Sequence, residues 1–463
     1  MTGKPIAKIL VANRGEIAVR IIRAARELGI ATVQVYSEAD RDMLAARWAD
    51  ETIAIGPAHA AKSYLNSDAI LRAAAATGAD AVHPGYGFLS ENADFAEAVE
   101  QAGLTFIGPT PATIRQMGDK ARARAIAAAA GVATVPGSDG RVAGPDALAL
   151  AAGIGFPIMI KAAAGGGGRG IRVAADASAL ATLLAQAGAE AKAAFGDDGL
   201  YLERFIPAAR HIEVQVLGDG QDVIHLHERE CSLQRRRQKV WEEAPATSLP
   251  AAVRAALCAS AVRLAKSVGY RGAGTLEYLY DEATRDFFFI EMNTRIQVEH
   301  PVTEMVTGID LVREMIRVAS GERLRVQQSD VQLRGHAIEV RINAEDPSRG
   351  FMPAPGTITN LDLPGGPGVR FDTMLYPGCV VPPFYDSLLG KLIVWDENRE
   401  AALARLRRAL AEFKVGGMAT TIPMHAALAR EPGVIAAEVH TRWLEQWLET
   451  APLAGATPIS PAD

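Results

Sequence analysis

The strongest constraint on the fold is the alternation of short apolar strands with amphipathic helical stretches in the N-terminal part of the chain. The segments AKILVAN, ATVQVYS, ETIAIG, ADAVHPG and LTFIG are typical of strands, and GEIAVRIIRAARELG is typical of a helix between them. Such alternation predicts a parallel sheet covered by helices on both faces. The first turn reads Asn13-Arg14-Gly15-Glu16 rather than G-x-G-x-x-G, which argues against a dinucleotide-binding turn.

The rest of the chain predicts further units of mixed structure. A second unit after VPGSDG has the strands FPIMIKA, IRVAAD and YLERFI and a helix from about residue 178 to 195. A third has the long strands HIEVQVLGDG and DVIHLHEREC, a helix after Pro250, and a hairpin made of GAGTLEYLYD and DFFFIEMN. The remainder, from Arg334, has the strands HAIEVRINA, GTITNL and GKLIVWDE and the helix REAALARLRRALAEF. The predicted class is therefore α/β combined with α+β.

Charge and cysteine content exclude several classes of protein. A net charge of −6 over 463 residues gives no basic surface, so neither nucleic acid nor an anionic membrane is an expected partner. No apolar run approaches the roughly 18 residues of a membrane helix. Cys231, Cys258 and Cys379 lie far apart without a C-x-x-C pair, which argues against disulfides and cysteine-ligated zinc. We expect a cytoplasmic protein.

The glycine run in KAAAGGGGRG is a candidate phosphate site. It follows a strand that ends at Lys161, and its members Gly165, Gly166, Gly167 and Gly168 allow backbone N–H groups to turn towards phosphate oxygens. No Lys-Ser/Thr pair follows, so it is not a Walker A loop. A flexible surface turn is the alternative, but the lysine at the strand end favours phosphate binding.

Two glutamates on the predicted hairpin are candidate magnesium ligands. Glu277 lies in GTLEYLYD, and Glu291 and Asn293 lie two residues apart in FFFIEMN, so the latter two face the same way on a strand. Carboxylates among apolar residues are costly to bury unpaired, and Mg²⁺ would supply the missing positive charge. The alternative is that both glutamates face water.

The next segment, TRIQVEHP, alternates polar and apolar residues. Alternation predicts a strand on which Arg295, Gln297 and Glu299 share one face, with the arginine suited to hold an oxyanion and the carboxylate suited to act as base. An exposed strand face with an ion pair is the common alternative. By themselves, the basic segment QRRRQK indicates a solvated face and HPGYGFLSEN either a ligand-binding or a structural turn.

Taken together, ANRGEIA, HPGYGFLSEN, MGDK, KAAAGGGGRG, QRRRQK, EMNTRIQVEHPVTE and EVRINAEDP resemble the biotin carboxylases, a branch of the ATP-grasp enzymes. The resemblance runs from about residue 6 to 448. It implies a parallel-sheet N-terminal (pre-ATP-grasp) domain, an ATP-grasp lid and body, and a biotin carboxylase C-terminal domain. The implied bounds are 1–118 for the N-terminal domain, 119–134 for a helical linker, 135–205 for the lid, 206–333 for the body, 334–448 for the C-terminal domain and 449–463 for a disordered tail.

The resemblance also implies residue roles. ATP would contact Lys120, Lys161, Gly165, Gly166, Gly167, Gly168, Glu203, Arg204, Phe205, Ile206, His211 and Gln234. Magnesium or manganese would be held by Glu277, Glu291 and Asn293. Bicarbonate would be bound by Lys239, Arg295, Gln297 and Val298. Glu299 would be its base, and Tyr86 and Arg341 would face biotin, so that the catalytic set is Lys239, Arg295, Glu299 and Arg341. One departure is Arg237, where the family has histidine in QRRHQK.

The implied activity is carboxylation of biotin with ATP and bicarbonate, through carboxyphosphate, as the first half-reaction of an acyl-CoA carboxylase such as acetyl-CoA carboxylase. Biotin would be a substrate on a separate carrier protein and not covalently bound here, since the carrier motif of a lysine between methionines is absent. Carboxyltransferase subunits and a second copy of the chain are the other expected partners. Another ATP-grasp ligase and a non-catalytic nucleotide-binding subunit remain alternatives; neither requires RINAEDP and HPGYGFLSEN together with Glu299.

Overall fold

The computed structural model describes residues 5–138, 140–142, 144–162, 172–195 and 198–450. Within it the chain forms two compact units. The main unit comprises Met1–Val132, Arg210–Tyr278 and Glu291–Asp463, and the inserted unit comprises Ala133–Ala209 and Leu279–Ile290. The glycine run of residues 165–168 and the tail from residue 451 lie outside the described residues.

The N-terminal part of the main unit is a five-stranded sheet with the order β3-β2-β1-β4-β5. Its elements are β1 (Lys8–Val11), α1 (Gly15–Glu27), β2 (Ala31–Ser37), α2 (Leu44–Trp48), β3 (Glu51–Gly56), α3 (Ser67–Thr77), β4 (Ala81–His83), α4 (Ala93–Gln101), β5 (Thr105–Phe106), α5 (Pro111–Gly118) and α6 (Lys120–Ala129). All of its strand pairs are parallel, which confirms the prediction.

Helices cover both faces of this sheet. Ile9 of β1 packs in one apolar cluster with α1, and Leu10, the next residue, packs in another with α3 and α4. Successive strand side chains point to opposite faces, so both faces of β1 are buried.

Two turns at the carboxyl ends of β1 and β4 are joined by the side chain of Asn13. Its amide nitrogen donates to the carbonyl oxygens of Pro84 (2.6 Å) and Tyr86 (2.7 Å), and its oxygen accepts from the backbone N–H of Arg14 (2.8 Å). Gly15 has φ of +71°, which favours glycine. ANRGE and HPGYG therefore form one rigid edge where parallel sheets place ligands.

The inserted unit is a three-stranded antiparallel sheet with the order β7-β6-β8, packed against two helices. Its elements within residues 133–209 are α7 (Gly144–Ile154), β6 (Ile158–Ala162), β7 (Arg172–Ala174), α8 (Ala177–Phe195) and β8 (Leu200–Arg204). Alternate residues of β6, Ile158 and Ile160, are fully buried in its core.

An eight-stranded sheet has the order β13-β12-β9-β10-β11-β14-β21-β19. The elements from its first strand onwards are β9 (Arg210–Asp219), β10 (Val223–Arg235), β11 (Gln238–Ala244), α9 (Ala251–Ser267), β12 (Arg271–Asp281), β13 (Asp286–Asn293), α10 (His300–Thr307), α11 (Leu311–Ala319), β14 (His336–Asn343), β15 (Glu345–Asp346), β16 (Met352–Pro353), β17 (Gly356–Thr357), β18 (Leu361–Asp362), β19 (Val369–Thr373), β20 (Val380–Val381), β21 (Leu388–Asp396), α12 (Arg399–Glu412), β22 (Lys414–Val415), α13 (Ile422–Leu428), α14 (Pro432–Ile435) and α15 (Trp443–Thr450).

This sheet continues across residue 334, where the sequence analysis placed a domain boundary. Strand β11 pairs with β14, with Trp241 opposite Val340 and Glu242 opposite Glu339. The segment GTITNL forms two short strands, β17 and β18, rather than one. The three cysteines are buried and form no disulfide. Within the described ranges, no helix combines the length and apolar character needed to span a membrane.

Candidate active site

A cavity of about 440 Å³ opens in the main unit beside the edge formed by ANRGE and HPGYG. Five of the six residues predicted to contact bicarbonate or biotin line it: Tyr86, Lys239, Arg295, Val298 and Arg341. The sixth, Gln297, is buried, and its amide nitrogen donates to Glu277 at 2.8 Å. Strands β11 and β14, the segment before α10 and the HPGYG turn after β4 thus bring together side chains up to 255 positions apart in the sequence.

Lys239 is the centre of a buried group of carboxylates. Its ammonium donates to Glu299 (2.7 Å), to Glu277 (2.9 Å) and to Glu213, and its side chain is only 11% exposed. Burial lowers the pKa of this amine, but the three carboxylates outweigh burial and raise its pKa well above the usual value. Lys239 is therefore a permanent cation in the lining of the cavity.

Glu299 is held between two cations. One carboxylate oxygen accepts from Lys239, and the other accepts from the Arg341 guanidinium at 3.0 Å. Burial would raise the pKa of this carboxyl, but Lys239, Arg341 and Arg229 lower it below the ordinary value. Glu299 is therefore ionised at neutral pH and able to accept a proton.

The strand predicted for TRIQVEHP is wrong. Residues 294–299 form an irregular segment and turn that leads into α10, and Glu299 is the N-cap residue of that helix. The side chains nevertheless find polar partners: Arg295 donates to Glu91 (2.8 Å) and to Asn293 (2.9 Å). Tertiary hydrogen bonds, rather than strand alternation, therefore set their directions.

The predicted metal ligands lie in or beside this network. The Glu277 carboxylate accepts from Asn293 (2.8 Å), and the His211 ring lies 3.3 Å from its other oxygen. The side chain of Glu291 is 37% exposed, and its carboxylate lies 3.6 Å from the Lys120 ammonium. The set combines carboxylate and amide oxygens, which are the donors that Mg²⁺ prefers.

The predicted nucleotide contacts are distributed over both units. In the inserted unit Lys161 pairs with Glu203, Arg204 ends β8, and Phe205 donates its backbone N–H to Pro157 at 2.9 Å. Ile206 is buried in a small apolar cluster of the same unit. In the main unit, Gln234 is buried and donates to the Cys231 carbonyl at 2.9 Å. The four glycines lie outside the described residues.

Arg237, which stands where the family motif has histidine, lies in an exposed turn between β10 and β11. Arg236 and Arg237 both have positive φ, +48° and +66°, between the paired residues Arg235 and Gln238. This residue is not part of the carboxylate cluster around Lys239.

Sequence reasoning missed several charged residues of the site. Glu242 accepts from the Nε of Arg341 at 2.7 Å, and burial raises its pKa to about 7 against the lowering effect of Arg341. Glu16 accepts from the hydroxyl of Tyr86 and lies 3.3 Å from the Lys391 ammonium. Glu16 lies within the motif ANRGEIA, and Glu242 lies a few residues after QRRRQK. Only the folded structure shows that both are buried and that they bond to the site residues Tyr86 and Arg341.

Three family models match the chain. The model described as "Biotin carboxylase, N-terminal domain" matches residues 5–114, "Carbamoyl-phosphate synthase L chain, ATP binding domain" matches residues 119–327, and "Biotin carboxylase C-terminal domain" matches residues 339–446. The middle model is described for a different ATP-binding enzyme, carbamoyl-phosphate synthase, whereas the two flanking models are described for biotin carboxylase.

Relatives cover nearly the whole chain. The biotin carboxylase of Pseudomonas aeruginosa is 54% identical over 96% of this chain and 99% of its own length. A pyruvate carboxylase subunit of Methanothermobacter thermautotrophicus is 49% identical over 95% and 90%. A solved structure of the Hydrogenobacter thermophilus 2-oxoglutarate carboxylase biotin carboxylase domain dimer, in complex with MgADP, ADP and bicarbonate, is 47% identical, covers 98% of this chain and 99% of that one, and superimposes with a TM-score of 0.89. This chain belongs to the biotin carboxylase family of ATP-grasp ligases.

Proposed function

We propose that this chain uses ATP and bicarbonate to carboxylate biotin that is carried on a separate protein. The observation that carries the proposal is the position of Glu299, an ionised carboxylate bonded to Lys239 and Arg341, two cations that line one cavity. A non-catalytic nucleotide-binding protein has no use for such a group. A base held by two cations suits the activation of a small anion such as bicarbonate.

In this proposal Lys239 and Arg295 neutralise the charge of bicarbonate, while Gln297 and the backbone of Val298 fix its orientation. The Val298 carbonyl is itself held by the Lys391 ammonium at 2.5 Å. Glu299 removes the bicarbonate proton, so that the oxygen attacks the terminal phosphoryl group of ATP; carboxyphosphate forms and ADP leaves. Preorganised charges stabilise this developing negative charge without rearrangement of solvent.

Arg341 and Tyr86 serve the second step. Breakdown of carboxyphosphate gives CO2 and phosphate, and this phosphate takes the ureido proton of biotin. Loss of that proton places negative charge on the biotin carbonyl oxygen, which the Arg341 guanidinium stabilises, and the ureido nitrogen then bonds to CO2. Glu242, on β11 opposite Glu339, orients the guanidinium through its 2.7 Å hydrogen bond. Tyr86 is oriented in turn by Glu16.

The nucleotide side of the proposal rests on donor chemistry. Glu277, Glu291 and Asn293 would hold Mg²⁺ or Mn²⁺, because their oxygens match a hard cation. When bound, MgATP supplies the phosphoryl group that activates bicarbonate. Lys120, Lys161, His211, Gln234 and residues 203–206 would hold the nucleotide. The related Hydrogenobacter domain, solved with MgADP and bicarbonate, supports these ligands.

We further propose that the carboxyl group passes through a biotin carboxyl carrier protein and a carboxyltransferase to an acyl-CoA, with acetyl-CoA, and hence fatty acid synthesis, as the first choice. The support is the higher identity to the Pseudomonas biotin carboxylase than to the Methanothermobacter pyruvate carboxylase subunit, 54% against 49%. A homodimer is proposed from the dimer of the Hydrogenobacter domain. The cytoplasmic location stays a prediction.

The test has two stages. Purified chain with MgATP and bicarbonate should release ADP slowly, and free biotin should accelerate this release and yield carboxybiotin. ADP release that responds to an amine acceptor but not to biotin would instead indicate a carboxylate–amine ligase. The chain would then be combined with its co-purifying carrier and carboxyltransferase, and labelled bicarbonate would be followed into acetyl-CoA, propionyl-CoA, pyruvate or 2-oxoglutarate. Labelling of a keto acid alone would contradict the acyl-CoA proposal.

A further inference from the structure

A second group of potential ligand side chains lies outside the cavity described above. It consists of His225 and His227 on β10 and Cys258 on α9, and one ligand atom of each lies within 4.8 Å of the others. The other such groups among the described residues contain Glu213 and belong to the candidate active site. This His-His-Cys group plays no part in the proposed carboxylation.

An irregular stretch of β10 brings the two histidines together. The pairing of β10 with β9 shifts register between His225 and Glu228, and His227 has φ of +62°, a conformation rare for a residue other than glycine. The two rings meet edge to face with centroids 5.0 Å apart. Residues two apart already share one side of a strand, and in this irregular stretch the two rings are held in contact. Gln328 fixes the bend by bonding both the N–H (2.9 Å) and the carbonyl (3.1 Å) of His225.

One imidazole nitrogen in this group is buried without a partner. His227 hydrogen-bonds to the backbone of Val331, while its Nδ1 is buried and accepts no hydrogen bond. A proton on Nε2 would leave the lone pair of Nδ1 available to a cation, as in metal-binding histidines whose other ring nitrogen is held by a hydrogen bond.

A buried carboxylate oxygen beside the group also has no partner. Glu228 is 1% exposed, and its Oε1 accepts from Arg254 at 2.7 Å, whereas Oε2 has no hydrogen bond. This carboxylate interacts electrostatically with both His227 and Cys258. A cation in the group would face a negative charge that Arg254 leaves partly uncompensated. The two partly exposed histidines leave a path for it from solvent.

We propose that His225, His227 and Cys258 form a binding site for a borderline divalent transition-metal ion of the Zn²⁺ class. Two imidazole nitrogens and one thiolate match the donors that zinc prefers, and water would complete a tetrahedral set. Metal–ligand bonds of about 2.0 to 2.3 Å suit three ligand atoms that already lie within 4.8 Å of one another. The absence of C-x-x-C concealed the site in the sequence, because its ligands come from a bent strand and a distant helix.

The test uses the full chain and Co²⁺ as a spectroscopic substitute for Zn²⁺, without nucleotide. We expect one equivalent of Co²⁺ to produce a thiolate-to-cobalt charge-transfer band that stoichiometric Zn²⁺ abolishes. Cys258→Ser should remove the band. Cys379→Ser is the matched control, since that cysteine is also buried but lies outside the group, and it should retain the band.

Two further variants keep the test decisive. His227→Ala should weaken Co²⁺ binding by roughly 100-fold or more, because even outer partners of metal ligands are worth 10–100-fold. It also decides the matter if Cys258→Ser does not fold, as judged by circular dichroism. Cys231→Ser should retain the band, although Cys231 lies near Glu213 and Glu299. A band that survives Cys258→Ser, a band that disappears in Cys231→Ser, or no band at saturating Co²⁺ would overturn the proposal.

Discussion

At the residue scale, Glu299 and Arg341 offer a separation of the two half-steps. Glu299→Gln should lose bicarbonate-dependent ATP cleavage with or without biotin, because an amide cannot take the proton. Arg341→Ala should keep much of the slow biotin-independent cleavage and transfer almost no carboxyl group. The Arg341→Ala loss should be about 10²- to 10³-fold, as for other preorganised stabilisers of negative charge. The Glu299→Gln loss should be about 10²- to 10⁴-fold, as for a general base. ADP release and carboxybiotin formation would be measured for both variants.

Arg341→Lys is the matched control in this series. It keeps a cation near Glu299 but cannot donate to Glu242 and Glu299 from one planar group. Its biotin-independent cleavage should match the unmutated chain, with intermediate carboxyl transfer. If Arg341→Ala and Arg341→Lys lose both activities equally, Arg341 also takes part in forming carboxyphosphate and the division is wrong.

A second prediction at this scale concerns magnesium. Glu291→Gln should raise the Mg²⁺ concentration needed for half-maximal ATP cleavage and lower the maximal rate, because a neutral amide offsets less of the cation's charge. The fold should persist, since the Glu291 side chain is 37% exposed and its ion pair with Lys120 is long. Glu282→Gln, a carboxylate on the exposed β12–β13 turn, is the control. An unchanged Mg²⁺ requirement in Glu291→Gln removes this ligand assignment.

The sequence indicated Glu299 and Arg341 but not what holds them. Motif resemblance pointed to both residues, whereas Glu242 and Glu16 became recognisable only when the fold placed them beside Arg341 and Tyr86. Hydrogen bonds between residues distant in sequence leave no local pattern. Their partners can therefore be found only from three-dimensional proximity and burial.

At the element scale, the end of β4 carries a titratable group that should make stability depend on pH. His83 is fully buried; burial, and then the charge of Arg20, lowers its pKa to about 3. The unfolded chain therefore takes up the proton more readily, near pH 6.5. Above about pH 6.5 the ring is neutral in both states, and the free energy of unfolding is unaffected by this group. As the pH falls from 6.5 towards 3, protonation of the unfolded chain lowers the free energy of unfolding by up to about 5 kcal/mol.

His83→Asn should reduce this loss, because asparagine does not titrate and its oxygen can replace Nδ1 as acceptor for the Gly85 N–H. Urea unfolding of variant and parent at several pH values between 4 and 7 would measure it. The exposed His59 provides the control variant His59→Asn. Equal slopes of unfolding free energy against pH in the parent and His83→Asn would refute the prediction.

Helices and strands were predictable from the sequence where the hydrophobic periodicity continues over many residues. The parallel sheet around β1, the helix α8 and the long strands β9 and β10 follow directly from their periodicity. The strand prediction for Thr294 to Glu299 failed because the alternating polar residues serve polar contacts rather than a strand face. Gln297 bonds to Glu277, and Glu299 bonds to Lys239. Alternation in a short segment does not distinguish a strand from a loop held by polar partners.

At the scale of the whole molecule, the inserted unit is the expected lid. We predict that backbone amides of residues 135–205 exchange hydrogen more slowly when MgATP binds, because closure over the nucleotide would protect carboxyphosphate from water. Hydrogen exchange with mass spectrometry would compare the chain with and without MgATP. Amides of β1 and β2 serve as an internal control and should not change. Equal exchange of residues 135–205 in both conditions would contradict the lid.

The extent of the eight-stranded sheet was not predictable from the order of segments. Strand β11 pairs with β14, nearly 100 residues later, and this pairing places Lys239 and Arg341 on neighbouring strands. Periodicity identifies strands but not their partners. The two cations of the site therefore meet through a long-range choice that only the folded structure reveals.

The inserted unit is built from two stretches of chain, and this has a consequence for engineering. The backbone passes between the units at four places, after Val132, Ala209, Tyr278 and Ile290. A chimaera that exchanges only residues 133–209 would leave residues 279–290 from the other parent inside the transplanted body. Recombination between relatives should therefore respect all four junctions, and libraries that cross over between residues 210 and 278 should contain mostly misassembled hybrids.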